Sequence, residues 1–159
     1  MRPVVTGGAG KSPIRPIFVK LSGQPERVTS AGRIQMSRVS VFVDGENISA
    51  SFALRIFHAA QALGEVDLLR VYGDAGRLTG WEDTAGFRLI HSGTGKNAAD
   101  LLLTVDAMER ALSGACDAVV IASSDGDFRH LAERLRERGM TVMGIGQERA
   151  GLRFKAGCS

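Results

Sequence analysis

From Arg38 onward the chain alternates two hydrophobic rhythms. The run Arg38–Val43 is almost continuously apolar and β-branched, the pattern of a strand covered on both faces. Ser49–Leu63 instead places Phe52, Ile56, Ala59, Ala60 and Leu63 at helical spacing and stops near Gly64. The alternation then repeats: a strand over Asp67–Tyr72, a short helix over Leu78–Ala85 and a strand over Phe87–His91. It continues with a helix over Ala98–Leu112, its Leu101, Leu102, Val105, Met108 and Leu112 expected inward, and a strand over Asp117–Ala122. A helix over Asp127–Arg138, stopped by Gly139, and a strand over Thr141–Ile145 complete the series. Repeated strand–helix units predict a central, mainly parallel sheet with helices on both sides, a three-layer α/β/α, Rossmann-like architecture.

Residues 1–35 break the rhythm. They hold all four prolines and no sustained period, and are expected to be a flexible leader, with 36–159 as the folded domain. The charge divides at the same boundary. The leader has six Lys/Arg against Glu26 alone, whereas 36–159 has 14 Lys/Arg against 16 Asp/Glu. The pI of 9.2 is therefore set by the leader. The domain itself is slightly acidic, so its charge is no footprint of a nucleic-acid partner. Met36, just before the first strand, is a candidate start. The weakly helical Leu152–Ser159 ends without a further strand, which leaves a truncated C-terminus open.

Two cysteines, Cys116 and Cys158, have neither metal-ligand spacing nor a disulfide framework. No apolar stretch reaches membrane-spanning length and no signal peptide opens the chain, so a cytoplasmic location away from membranes is expected. Gly7–Ser12 resembles a phosphate-binding loop at a glance. Position 5 is Val5 where the loop needs glycine, no strand precedes it, and Pro13 and Pro16 obstruct the helix that should follow.

The candidate chemistry lies in four aspartates. Asp44 ends the first strand, Asp125 and Asp127 follow the fourth, and Asp100 falls in the first turn of the helix between them. In open α/β sheets the functional crevice lies beyond the carboxyl ends of the strands, where strand order reverses. If strands one and four are neighbours there, the carboxylates share one crevice. Two such charges about 4 Å apart repel by roughly 4 kcal/mol at an effective dielectric near 20. Gathering them calls for protons or a divalent cation, which points to a metal-dependent phosphodiesterase. Singly, each has a plainer use: Asp44-Gly45 suits a turn, Asn97–Asp100 has capping-box spacing, and Asp125 or Asp127 must cap a helix. Capping does not require all four at one sheet edge. Asn47 could orient Asp44 or cap a helix, and Ser123, Ser124 and Gly126 offer hydroxyls and close backbone approach.

Val41–Asn47, Lys96–Asp106 and Ser123–Phe128, followed by Gly139–Gly146, together resemble NYN domains, the PIN-like nuclease group that includes LabA-like proteins. The resemblance covers about residues 38–150 in order. It implies a PIN-like fold, Mg²⁺ or Mn²⁺ as cofactor and RNA as partner, single-stranded or structured, and leaves homodimerisation open. Carried onto this chain, Asp44, Asp100, Asp125 and Asp127 become the catalytic and metal-binding residues of a ribonuclease. Asn47, Ser124 and Lys96 become substrate-binding. His91 is expected to have a minor role, Arg129 and His130 to lie on the surface, and Asp106 to make a structural hydrogen bond; Trp81 and Tyr72 are candidates for base stacking, though a lone Trp in a short helix is more often packed in the core. The competing expectation is a catalytically inactive PIN-like module that binds RNA or protein. A dinucleotide binder is excluded because the first turn reads Asp44-Gly45-Glu46-Asn47 and lacks the glycine fingerprint. A haloacid-dehalogenase-like site is excluded because Glu46 replaces its second aspartate.

Overall fold

The computed structural model describes residues 26–28 and 34–146. Two short strands, β1 (Glu26–Val28) and β2 (Ile34–Met36), pair antiparallel just ahead of the domain. The domain then runs β3 (Arg38–Asp44), α1 (Ala53–Gln61), β4 (Glu65–Gly73), β5 (Arg88–His91), α2 (Ala98–Leu112), β6 (Ala118–Ala122), α3 (Arg129–Glu137) and β7 (Thr141–Ile145). The five strands β3–β7 form one parallel sheet in the order β5-β4-β3-β6-β7. The chain builds outward from β3 through β4 to β5, then returns across the sheet to β6 on the other side. Strand order thus reverses between β3 and β6, and Val43 stands opposite Ala122 in their register. Whatever follows these two strands meets at one edge.

Two cores explain the three layers. On one face α1 joins Val39, Val41, Val43, Val71, Val120 and Met143, and Trp81 seals the cluster. On the other, α2 and α3 cover Phe42, Tyr72, Val119, Ile121 and Val142. Trp81 is 2% exposed and donates its indole N–H to the Ile48 carbonyl at 3.0 Å. Tyr72 is fully buried and donates its hydroxyl to Asp106 at 2.7 Å, so both aromatics serve the fold.

Two expectations are corrected. Leu78–Ala85 is a chain of turns rather than a helix, with Trp81 bonded back to Leu78, Thr84 to Trp81 and Phe87 to Thr84. Gly80 and Gly86 adopt φ values of +89° and +83°, which right-handed helix forbids, and burial of Leu78 and Trp81 fixes the path instead. The inward face of α2 also differs. Leu101, Val105 and Leu112 are 67%, 60% and 58% exposed, while Ala99, Leu103 and Ala107 are buried. The helix carries two apolar stripes. The one with small alanines lets its backbone approach the sheet, and it also brings Asp106 to Arg70 and Tyr72.

The remaining differences are at element ends. Ser49–Leu63 opens as a short 3-10 turn, Ala50–Phe52, capped by the Ser49 hydroxyl, and Asp127–Arg138 likewise opens as 3-10 over Gly126–Phe128. The Leu152–Ser159 segment and Cys158 lie outside the described residues, as does nearly all of 1–35. Among the described residues no helix is long and apolar enough to cross a membrane.

Candidate active site

Asp44 ends β3 and is buried, 1% exposed. The Asn47 side-chain amide and the Ser123 hydroxyl, the latter at 2.9 Å, both donate to its Oδ2. Its Oδ1 is buried with no hydrogen-bond partner among the described residues. A buried carboxylate oxygen without a donor is costly, on the order of 1–3 kcal/mol. Burial accordingly pushes the Asp44 carboxyl above its ordinary range, against the opposing pull of Asn47, Ser123 and the Glu46 backbone N–H.

Asp125 follows β6, held by its backbone N–H to the Ser123 hydroxyl at 3.0 Å. One residue therefore ties the two strand ends together: Ser123 donates to Asp44 and accepts from Asp125. Asp125 also caps the turn that starts the next helix, its Oδ1 accepting from the Asp127 backbone at 2.9 Å. Asp100 completes the group from the first turn of α2. The capping-box expectation fails there, because Asn97 takes a left-handed conformation (φ 62°) and its side chain caps nothing. Asp100 is left to face the crevice. Its carboxyl is pushed up to about 6, first by burial and then by the charges of Asp44, Asp125 and Glu46. Asp100 also comes within hydrogen-bonding range of Asp125, a contact between two acids that only a shared proton or a cation makes favourable.

The cleft in front of these residues has a volume of about 420 Å³, with Glu46, Asn47, Asp74, Asp100 and Asp125 among its walls. Arg77, Lys96 and the loop Thr94–Asn97 form its rim. Of the residues singled out from sequence, Asn47, Lys96, Asp100 and Asp125 line this cleft, while Asp44 is bonded to Asn47 beside it without lining it. Asp127 is exposed at the start of the 3-10 turn, and Ser124 is half-buried beside Asp125; neither lines the cleft. His91 accepts the Ala75 N–H at 3.0 Å and stabilises the turn after β4. Arg129 pairs with Glu133 on the next helix turn, and His130 is exposed. Sequence reasoning missed Glu46 and Arg77. In the sequence Glu46 belongs to the Val41–Asn47 motif without a role of its own, and Arg77 borders the segment misread as a helix.

The donors are all oxygen, one is buried and orphaned, and two acids crowd together. That chemistry fits a hard divalent cation such as Mg²⁺ or Mn²⁺. Among the described residues the carboxylates face one cleft without converging on a single coordination point.

The profile of the NYN domain family matches residues 38–158, and the chain belongs to that family. NYN domains are a branch of the PIN-like nuclease superfamily, generally ribonuclease-like hydrolases that typically use divalent metals, which makes this a nuclease-like module. Among solved structures it resembles a protein of unknown function from Vibrio parahaemolyticus RIMD 2210633. The two share 23% identity with a TM-score of 0.60, over 77% of this chain and 89% of the other, which supports a PIN-like fold. No curated protein matches.

Proposed function

We propose that this protein is a divalent-metal-dependent ribonuclease that hydrolyses RNA phosphodiester bonds in the cleft at the carboxyl edge of β3 and β6. The observation that carries this reading is the Asp44 Oδ1, buried without a donor beside the Asp100–Asp125 pair. A neutral donor could satisfy that oxygen alone, whereas a cation would also offset the repulsion of the neighbouring Asp100 and Asp125. Asp44, Asp100 and Asp125 would hold the ion. Bound there, the ion lowers the pKa of an attacking water and offsets charge developing on the phosphate.

The chain's own groups do the rest. Asn47 and Ser123 fix the Asp44 carboxylate in one orientation through Oδ2 and leave Oδ1 for the ion. Lys96 and Arg77 on the rim would contact phosphates flanking the scissile bond. In-line attack by water would yield a 5′-phosphate and a 3′-hydroxyl. The test is Mn²⁺-dependent cleavage of single-stranded RNA by wild type and Asp125→Asn. Cleavage by wild type alone supports the reading. Equal rates in both proteins, or none in either, would end it, the latter in favour of a module that binds without cutting.

A further inference from the structure

Helix α2 buries its alanine stripe against the sheet and presents a second apolar stripe to solvent. Leu101, Val105 and Leu112 are exposed there, and half-buried Met108 completes the row. Helix α3, on the same face of the sheet, shows the ordinary solvated pattern. Its exposed positions are all polar, His130, Arg134, Arg136 and Glu137, with Arg134 paired to Glu137 at 2.8 Å. Helix α1 exposes only a single large apolar residue, Leu54, which needs no special account. The row on α2 does need one.

Its spacing says what kind of surface covers it. The four positions follow one another at intervals of 4, 3 and 4 residues, the seam along which two helices pack at a shallow left-handed crossing. The intervals also read the same in both directions. In an antiparallel pair about a two-fold axis at the centre of the row, Leu101 lies against Leu112 of the second copy and Val105 against Met108 of the second copy. A two-fold interface requires such a self-complementary patch, whereas an unrelated partner does not. Charge agrees. The positions flanking the row are Leu102, Thr104, Glu109 and Ala111, and antiparallel crossing sets Glu109 beside Leu102 of the second copy, so that acid does not meet acid. Residues 147–159 of the same chain hold only two large apolar residues, Leu152 and Phe154, too few to fill four positions.

We propose that the exposed face of α2 is a homodimer interface, closed by a second copy of this chain through antiparallel α2–α2 packing. The inference does not rest on the catalytic reading. Because Asp100 lies in the first turn of α2, the pairing places the two clefts at opposite ends of the seam. One helix a side falls short of the roughly 800 Å² per partner of a standard interface, so a micromolar rather than a nanomolar dimer is expected.

The full chain in chelator is followed by sedimentation velocity from about 1 to 200 µM, a range that brackets such an affinity. Wild type is expected to pass from monomer to dimer. Val105→Glu should stay monomeric throughout, with a melting temperature at low concentration within about 3 °C of wild type because the position is exposed. Leu54→Glu, on the exposed face of α1, should dimerise as wild type does. A wild type that stays monomeric would overturn the proposal and give the stripe to the chain's own leader, which has Ile14, Ile17, Phe18 and Leu21. A dimer that survives Val105→Glu would overturn it too. Should that variant fail to fold, cross-linking decides in a Cys158→Ser background. Leu101→Cys with Leu112→Cys should form a disulfide between copies, since on one helix the two lie about 16 Å apart and cannot close within a chain. No cross-link in the pair, or an equal yield from Leu101→Cys alone, would overturn the antiparallel assignment.

Discussion

The two ends of the sheet treat the same residue type in opposite ways. At the amino end the aspartates have a guanidinium beside them: half-buried Asp117 meets Arg38 at 3.2 Å, and exposed Asp67 meets Arg110 at 2.8 Å. Midway along, Asp106 holds Arg70 at 3.0 Å together with the Tyr72 hydroxyl. At the carboxyl end Asp74 has Arg77 at 3.9 Å, but Asp44, Glu46, Asp100 and Asp125 make no ion pair among the described residues. Helix α2 connects the two regimes, with Asp100 in its first turn and Arg110 in its last. Neutralised acids are structure. Uncompensated acids at a strand switch point are chemistry waiting for a positive charge, and this contrast identifies the site better than any single residue does.

The largest expected effect comes from the uncompensated end. Asp125→Asn should cut the Mn²⁺-dependent cleavage rate at least about a hundredfold, roughly 2.7 kcal/mol of barrier, in a single-turnover RNA assay. The fold should survive, because the asparagine oxygen can still accept the Asp127 N–H that starts the next turn. A rate within threefold of wild type would place Asp125 with the structural aspartates instead.

The paired region should behave in reverse. Asp106→Ala leaves the Arg70 guanidinium and the Tyr72 hydroxyl without their shared acceptor in a largely buried setting. A loss of about 2 kcal/mol in urea unfolding is expected, with Mn²⁺ affinity unchanged. A stability loss combined with a tenfold loss in Mn²⁺ affinity would show that the two regions are not independent.

Between these lies a case where removing a charge should help. The Asp100 carboxyl is raised from 3.8 to about 6, so between those values the folded protein holds a proton that the unfolded chain has released. The sign follows: this group's contribution is full below pH 3.8 and is lost as pH rises through about 6. A shift of this size would correspond to roughly 3 kcal/mol for a fully buried group, but Asp100 is half-exposed and solvent screening reduces it to about 1 kcal/mol. Asp100→Asn in the absence of metal should therefore be more stable than wild type by about that amount at pH 7.5 and equal to it at pH 4. Excess Mn²⁺ should reverse the order. Urea titrations in chelator at the two pH values check this, and a variant advantage at pH 4 would contradict it.

How much of this was legible in the sequence depended on the range of the interaction. The strands β3, β6 and β7 declare themselves through continuous apolar runs, and Asp44 and Asp125 are visible because each directly ends such a run. The bond from Asn47 to Asp44 spans only three residues and was anticipated. Glu46 was not, because its carboxylate is bonded to the Asp74 backbone N–H at the end of another strand. The inward face of α2 was misjudged for a related reason. Leu101 and Val105 have the stronger hydrophobic signal, yet close packing against the sheet favoured the alanine stripe. The segment after Leu78 was misread because helix-like apolar spacing outweighed two glycines whose positive φ is a tertiary requirement.

The smallest expected effect sharpens the contrast at the cleft rim. Lys96 is exposed, lines the cleft and makes no ion pair among the described residues, so it either meets substrate or partly screens the acids behind it. The two roles leave different traces. A phosphate contact predicts that Lys96→Ala raises KM about threefold, roughly 0.65 kcal/mol, with kcat and metal-free stability unchanged. The log–log dependence of RNA affinity on salt should also become shallower by about 0.7, the increment for one contact to a single strand. Screening predicts instead a metal-free protein that is less stable, most so at low ionic strength, with the salt slope intact. The exposed position on the cleft favours the first outcome. Loss of low-salt stability in Lys96→Ala would mean that the carboxyl end of the sheet has a counter-charge of its own, and that its difference from the amino end is one of degree.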